Sequence, residues 1–203
     1  MPRVSIVTTV YDRVACLKRC LRSVQLSEYH DLEQIVVSDA PPARVVTEIA
    51  RLCTVTPHVS RYINLPARTN NWGLAPALAG LAAAVGEYVC FLSDDNAYLP
   101  SHLPALVGAL DADPELGFVY SSCLYAGRLT LDVAPPQACR IDLGQPLFRR
   151  TVLTPDAFIA HEFAWDWRLI DSLLQKGVRW RHVDAATFVF RLAKYPELVQ
   201  ALA

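Results

Sequence analysis

The sequence lacks an excess of either charge, a long apolar run and a paired cysteine motif. Its 203 residues include 19 Lys and Arg against 20 Asp and Glu, which gives a formal net charge of −1. This balance provides no electrostatic basis for nucleic acid or an anionic membrane as the main partner. No uncharged apolar run reaches the roughly 18 residues of a spanning helix, so no membrane span is predicted.

The six cysteines form no C-x-x-C pair and have no His or Cys neighbours at zinc-ligand spacing. Reduced, buried thiols are the expected state of such cysteines. Residues 1–13 hold an apolar stretch too short for a signal peptide, so we expect a chain that begins at Met1 and works in the cytoplasm. The positive mean hydropathy of +0.23 points to a partner surface, for which a homodimer is one candidate.

Common nucleotide-site motifs are also absent. The sequence has no G-x-x-x-x-G-K-[ST] loop and no G-x-G-x-x-G after its first predicted strand, which argues against a P-loop enzyme and an ordinary dinucleotide dehydrogenase. A sugar nucleotidyltransferase would need a Gly- and Arg-rich loop where residues 8–15 read TTVYDRVA. Residues 161–165 begin like a zinc-protease helix, but Trp165 stands where the second His should be.

What the sequence does contain is a regular alternation of strands and helices. Residues 3–11 form a β-branched run without polar alternation, which is typical of a strand buried on both faces. The pattern then predicts, in turn, a helix over 13–25, a strand over 32–40, a helix over 44–54, a strand over 59–65, a helix over 74–86 and a strand over 87–93. This series predicts an α/β fold with a doubly wound, mostly parallel, Rossmann-like sheet and helices on both faces.

After residue 97 the rhythm changes. The pattern predicts a helix over 99–115, a strand over 117–127, a helix over 165–177 that ends at Gly177, and one or two short strands within 178–192. Residues 128–160 are rich in proline, arginine and turn residues and carry little pattern. Because no linker or repeat divides the chain, we expect a single domain over 1–203.

Acidic residues follow three of the predicted strands, at Asp12, Asp39 and the adjacent pair Asp94 and Asp95. Parallel sheets bind ligands at the carboxyl ends of their strands, so these acids are predicted to meet on one rim. Paired carboxylates there suit a hard divalent cation, which can act as a Lewis acid on a diphosphate. The alternative is that Asp94 and Asp95 only begin a turn before the next helix.

Four segments together resemble family 2 glycosyltransferases of the GT-A fold: residues 4–24, 34–40, 70–103 and 165–180. The Ser-Asp-Asp-Asn form of residues 93–96 is especially similar to the spore-coat polysaccharide synthesis glycosyltransferase. The resemblance implies a nucleotide-diphosphate sugar donor, a hydroxyl acceptor and Mn²⁺ or Mg²⁺. It further implies a nucleotide-binding half over 1–97 and an acceptor-binding half over 98–203.

The resemblance also implies roles for donor-side residues. Asp39 matches the acid that contacts the nucleotide base, and Thr9 and Tyr11 match residues near that base. Arg68 is the nearest match to an arginine that reaches the base or the phosphates.

The family's D-x-D position is matched by Asp94 and Asp95. Asp95 would then be the principal metal ligand, and Asp94 would contact the ribose or a metal-bound water.

The family's catalytic base opens a late helix eleven residues before a glycine, and Asp166 matches it relative to Gly177. The glutamate that precedes this base in the family is replaced by Trp165. Asp166 could instead be an acid that only stabilises the N-terminus of the helix. Glu162 is then a candidate for a substitute base or for an acceptor ligand.

Four other residues have open assignments. Arg149 and Arg150 belong either to a solvated loop or to a lid over the diphosphate. His182 is expected to be a satisfied or exposed histidine, not a metal ligand. Trp167, like Trp165, either packs in the core or offers a stacking face to a sugar ring.

The sequence therefore predicts an inverting, metal-dependent glycosyltransferase in which Asp166 takes the acceptor proton. The alternative is a GT-A domain without catalytic activity that binds nucleotide sugars or serves as a scaffold. The missing glutamate before Asp166 keeps that alternative open.

Overall fold

A computed structural model describes residues 1–125, 128–129, 133–158 and 164–202. Its strands are β1 (Val4–Val10), β2 (Leu32–Ser38), β3 (Val59–Asn64), β4 (Tyr88–Ser93), β5 (Ala97–Tyr98), β6 (Leu116–Tyr125), β7 (Arg128–Leu129), β8 (Pro146–Arg149) and β9 (Arg179–Val189). Its helices are α1 (Val14–Gln25), α2 (Ala43–Thr54), α3 (Leu74–Ala83), α4 (His102–Asp111), α5 (Trp165–Gln175) and α6 (Pro196–Ala201). The described strands form one sheet in the order β3-β2-β1-β4-β8-β6-β9-β5, with β7 paired to β6.

The first half of the sheet is the predicted alternation, and every predicted element up to β4 is confirmed. β1 lies between β2 and β4 and pairs in parallel with both. Nearly all of β1 is buried, which agrees with its unbroken β-branched sequence. Helix α3 crosses β1 so closely that a Cβ added at Gly80 would lie 2.3 Å from Val7 Cγ1. A glycine is therefore needed at this crossing.

The second half departs from the prediction at three strands, and helix α6 was not predicted either. β8 pairs antiparallel with both β4 and β6, so it extends the sheet within the stretch that showed no pattern. The two-residue β5 was also missed. The predicted short strands within 178–192 are one long strand, β9, parallel to β6 with register shifts. Pairing between distant segments creates these strands, and a four-residue strand carries too little periodicity to reveal it.

Neither Arg149 nor Arg150 lies over the site, so the lid interpretation is wrong for both. Arg149 is half-buried in β8 and not in a solvated loop, whereas Arg150 is exposed in the short turn that follows β8. Arg149 donates to the backbone oxygens of Leu116 and Leu110, each at 2.8 Å. Arg150 Nε donates to the oxygen of Gly86 at 2.8 Å. Gly86 precedes β4, so these arginines close the amino edge of the sheet, opposite the predicted rim.

The cysteine prediction is confirmed for four of the six thiols. Cys20, Cys53, Cys90 and Cys123 are free and buried, whereas Cys139 is exposed. Within the described residues, no helix is both long enough and apolar enough to cross a bilayer.

Candidate functional site

The carboxyl ends of the strands surround three adjoining pockets. The carboxyl-edge cleft is lined by Thr9, Val10, Tyr11, Arg13, Asp39, Trp72, Gly73, Pro76, Ser93 and Asp94. The central pocket is lined by Thr9, Trp72, Gly73, Ala77, Phe91, Leu92, Ser93, Asp142, Leu143, Gly144, Trp165 and Asp166. The outer pocket is lined by Trp72, Cys139, Ile141, Ala164, Trp165, Asp166 and Trp167. The prediction that acids from separate strands meet on one rim is thereby confirmed for Asp39 and Asp94.

Asp94 and Asp95 sit just past the end of β4, and Arg13 bridges them. Arg13 Nε donates to Asp94 Oδ2 at 3.0 Å, Nη1 donates to Asp95 Oδ2 at 2.7 Å, and Nη2 also donates to Asp94. The Asp94 side chain is 2% exposed and that of Asp95 is 26% exposed. One guanidinium thus offsets the repulsion of two adjacent acids, and Asp95 is the more accessible of them.

The Asp94 carboxyl is electrostatically perturbed. Burial raises its pKa to about 6, the Arg13 guanidinium opposes this shift, and the neighbouring Asp95 charge adds to it. The loss of water outweighs the ion pair here because desolvation penalises the charged form of an acid. Asp94 is therefore protonated more readily in acid than an ordinary aspartate, even with the Arg13 guanidinium beside it.

Asp39 anchors the loop that follows β3. Its Oδ1 accepts hydrogen bonds from the backbone N–H and the hydroxyl of Thr69, both at 2.9 Å. The Arg68 guanidinium lies over the Tyr11 ring, 4.0 Å from its centroid. Asp39, Tyr11 and Arg68, which were predicted to bind the donor nucleotide, thus lie at the same edge of the sheet. Their roles stay predictions.

Asp166 lies in the first turn of α5, between the central and outer pockets. Its Oδ1 accepts the backbone N–H of Trp167 at 2.8 Å, and it lines both pockets. Trp165 is buried, packs edge-on against Phe91 and donates its indole N–H to the Trp72 carbonyl at 3.0 Å. Asp166 is therefore held between the central and outer pockets by a packed helix end. Its suggested substitute, Glu162, lies outside the described residues.

Asp142 was missed by sequence reasoning. It lies in the loop before β8, lines the central pocket with Asp166, and accepts the Gly144 N–H at 2.8 Å. Burial raises the pKa of the Asp142 carboxyl to about 7, with further contributions from the negative charges of Asp166 and Asp95. The signal available in the sequence was the turn-like Asp-Leu-Gly-Gln run, which by itself predicts only a turn.

Arg13 was also missed as a site residue, although it stands two positions after Tyr11 at the end of β1. A single arginine before a helix carries no specific signal, so only the fold shows its contact with Asp94 and Asp95. His182, in contrast, matches its expectation, since its Nε2 lies 3.0 Å from the Ser122 hydroxyl.

The residues present can be tested for a divalent cation. Among the described residues, no cluster of three or more His, Cys, Asp or Glu side chains is placed to hold a metal. Two adjacent carboxylates still fit a hard cation whose remaining ligands are water and diphosphate oxygens. Arg13 contacts both carboxylates, so it would have to withdraw from at least one carboxylate oxygen for direct coordination.

Comparisons with known proteins place the fold and the family. The family model described as glycosyl transferase family 2 matches residues 5–165, well over half of the chain. The O-antigen biosynthesis protein RfbC of Myxococcus xanthus is 33% identical over 121 residues, which are 59% of this chain and 9% of that protein. The chain spans between 9% and 44% of the length of the curated relatives it matches.

Solved structures agree on the architecture. S. aureus TarS in complex with UDP superposes with a TM-score of 0.74 at 14% identity, over 98% of this chain and 65% of that chain. The mannosyltransferase PcManGT from Pyrobaculum calidifontis, in complex with GDP-Man and Mn²⁺, gives 0.74 at 21% identity, over 94% and 57%. The narrower likeness to the spore-coat enzyme stays a prediction. With its parallel sheet, its acidic carboxyl edge and the family model over residues 5–165, this chain belongs to glycosyl transferase family 2 and has the GT-A fold.

Proposed function

We propose that this chain is an inverting glycosyltransferase that moves a sugar from a nucleotide-diphosphate sugar to an acceptor hydroxyl with the help of a divalent cation. The observation that carries the proposal is that Asp94 lines the carboxyl-edge cleft, Asp166 lines the central pocket, and the two pockets have four lining residues in common. These are Thr9, Trp72, Gly73 and Ser93. A nucleotide-sugar donor bound beside Asp94 can therefore face the Asp166 carboxylate, which would accept the proton, across this shared boundary. Family membership supports the reaction class.

The carboxyl-edge cleft would bind the donor nucleotide. Tyr11 and Arg68 form a flat, cationic surface suited to a base or a phosphate. Asp39 is placed to accept from a base or ribose while it holds Thr69. The solved structures of the same fold include TarS in complex with UDP and PcManGT in complex with GDP-Man, which supports a nucleotide donor for this chain.

Asp95 would be the principal metal ligand, because its carboxylate is more exposed than that of Asp94. When bound, a divalent cation supplies Lewis-acid stabilisation of a diphosphate leaving group. Asp94 would orient ribose or a metal-bound water. Arg13 would then keep one carboxylate oxygen paired and add positive charge beside the diphosphate.

Asp166 would accept the proton of the acceptor hydroxyl as that oxygen attacks the anomeric carbon. A single displacement inverts the configuration at this carbon, and the donor's nucleoside diphosphate departs. Asp142, which shares the central pocket, would hold its own proton near neutral pH, since its pKa is raised to about 7. A neutral Asp142 can donate a hydrogen bond to the acceptor while Asp166 stays available as the base.

The second candidate is a GT-A domain without catalytic activity that binds nucleotide sugars or serves as a scaffold. It is favoured by the replacement of the family's glutamate with Trp165. The indole N–H of Trp165 donates to the Trp72 carbonyl. Cytoplasmic location and a homodimer also stay predictions.

Thermal-shift measurements with UDP and GDP, each with and without Mn²⁺, test donor binding. We expect a nucleoside diphosphate to stabilise the protein more strongly with Mn²⁺ than without it. Asp95→Ala should remove this Mn²⁺-dependent part, whereas Asp184→Ala, at an exposed carboxylate of β9, should keep it. Absence of any nucleotide effect would contradict both the glycosyltransferase and the nucleotide-sugar-binding domain, and would leave only the scaffold.

Mass spectrometry of reaction mixtures with nucleotide sugars and an acceptor panel separates the two candidates. Transfer supports the enzyme, and NMR of the product determines its anomeric configuration and so tests inversion, since the two anomers have the same mass. Mn²⁺-dependent nucleotide binding without donor turnover supports the binding domain.

A further inference from the structure

Trp72 is unusual among the aromatic side chains of this protein. Its relative exposure is 71%, while every other Phe, Trp and Tyr side chain that the structure describes is buried or half-buried. A single exposed apolar residue needs no explanation by itself. At Trp72, however, two further observations coincide with the exposure.

The first observation is the backbone. Trp72 has φ +58°, between Asn70 at +51° and Gly73 at +85°. A bulky residue in this left-handed region is a conformational outlier that costs on the order of 1–3 kcal/mol and persists only where its surroundings hold it. Such strain is concentrated at binding sites and active sites, so it motivates a functional hypothesis.

The surroundings do hold this conformation. The Trp72 carbonyl accepts the Trp165 indole N–H at 3.0 Å. On the other side, Asn71 Oδ1 accepts from the Ala75 N–H at 3.2 Å and lies 2.9 Å from the Thr69 hydroxyl oxygen. The segment is thus tied to Asp39 through Thr69 and to α5 through Trp165, and its indole ring is left exposed between them.

The second observation is position. Trp72 lines the carboxyl-edge cleft, the central pocket and the outer pocket. In the outer pocket it faces the same space as Asp166, Trp167 and Ile141, and the donor-side residues Asp39 and Tyr11 do not line that space. The exposed ring therefore stands on the acceptor side of the proposed base as well as beside the donor cleft.

We propose that Trp72 is the stacking surface for the ring of a saccharide acceptor, so that the acceptor hydroxyl is presented to Asp166 from the outer pocket. The inference rests on the proposed glycosyltransferase function and specifies its acceptor class. A sugar ring has an apolar C–H face that packs on a flat aromatic surface and a polar rim that reaches a carboxylate. Trp72 and Asp166 supply these two partners in one pocket.

Trp72→Ala and Trp72→Phe test the proposal, with Val55→Ala as the control because Val55 has the same 71% exposure at the far end of α2. The probes are methyl glycosides of glucose, galactose, mannose and N-acetylglucosamine. Binding is measured by saturation-transfer NMR with UDP or GDP and Mn²⁺ present, and nucleotide affinity is measured separately by calorimetry.

We expect at least one glycoside to bind the wild type, and Trp72→Ala to weaken it about 3- to 10-fold, as loss of a ring contact does. Trp72→Phe should recover most of the affinity, and Val55→Ala should match the wild type. In a transfer assay, the KM for the saccharide should rise much more than the KM for the donor.

Three results would overturn the proposal. No glycoside binds the wild type, or Trp72→Ala binds the glycoside as well as the wild type does, or the variant weakens the nucleotide more than the glycoside. The last result would assign the indole to the donor base. Each can occur while nucleoside diphosphate and Mn²⁺ still bind, so the proposed function survives them; loss of nucleotide binding in the wild type contradicts both.

Discussion

The first 97 residues and the rest of the chain build their parts of the sheet in different ways. In the first part, β1 to β4 are parallel and are joined by helices, so each strand is continuous and closely matches its sequence pattern. In the second part, β8 runs antiparallel between β4 and β6, and β5 pairs with the distant β9. The second part is therefore defined by pairing between segments far apart in the chain.

The two parts also supply the site differently. The first part contributes residues at strand ends, where the sheet itself fixes their position, as with Thr9 and Asp94. The second part contributes Asp142 from a loop and Asp166 from the start of a helix. The division into a nucleotide-binding half and an acceptor-binding half stays a prediction, which variants in each half can test.

The largest effect is expected from Asp166→Asn in the second half. The asparagine keeps the shape of the side chain and can still accept the Trp167 N–H, but it is not basic. Turnover should fall by roughly 10² or more, the usual scale for a lost general base, while nucleotide affinity stays close to that of the wild type. A steady-state assay together with calorimetry measures both quantities, and normal turnover would exclude Asp166 as the base.

A smaller effect, on nucleotide affinity and not on turnover, is expected from Asp39→Ala in the first half. Loss of the carboxylate should weaken nucleotide binding about 10-fold and flatten the preference among bases, because a recognised polar group is left without its partner. Asp39→Asn is the matched control, since its oxygen can still accept from Thr69 and hold the loop. Equal affinities for the wild type and Asp39→Ala would leave Asp39 with a structural role only.

The free energy of unfolding should depend on pH through His102, which lies in the second half. This residue is fully buried, stacks on Tyr98 and lies 2.9 Å from the Thr187 hydroxyl. Burial lowers the pKa of its imidazole from 6.5 to about 3. The unfolded chain therefore binds the proton first, so stability is full above pH 6.5 and is lost as the pH falls towards 3.

The slope from one such group is at most about 1.4 kcal/mol per pH unit. Denaturant unfolding of the wild type and His102→Phe between pH 6.5 and 4.5 measures it, because phenylalanine keeps a ring but cannot be protonated. The variant should show a shallower loss of stability with acid, whatever its stability at neutral pH. Identical slopes would mean that His102 is not protonated on unfolding.

The smallest effects concern two glycines of the second half and should have opposite signs. Gly177, at φ +70°, ends α5 with the bonds Gly177 N–H to Leu174 and Val178 N–H to Leu173, a Schellman pattern. Gly177→Ala should lower the free energy of unfolding by about 1–2 kcal/mol.

Gly108→Ala, within α4 and with open space at its Cβ, should raise the free energy of unfolding by about 0.5–1 kcal/mol. Chemical denaturation compares both with the wild type.

Much of the fold was predictable from local pattern. The β-branched runs of β1 and β2 and the helix boundaries set by Pro76 and Gly177 are local signals, and the structure contains the corresponding elements. The strand β8 was not predictable, because Pro146–Arg149 becomes a strand only by filling the gap between β4 and β6. The lid interpretation of Arg149 and Arg150 was wrong for the same reason, since their carbonyl partners belong to distant segments.

For the site, the sequence by itself determined which residue types stand at the ends of the first four strands, because strand periodicity and the direction of a parallel sheet place Asp39 and Asp94 on one edge. Only the tertiary structure decided that Arg13 bridges Asp94 and Asp95, that Asp142 shares a pocket with Asp166, and that Trp72 stays exposed beside them. The physical reason is that these relations join segments tens of residues apart. Their charge, burial and pKa are set by which neighbours the packed chain brings within a few ångströms, and no local pattern encodes those distances.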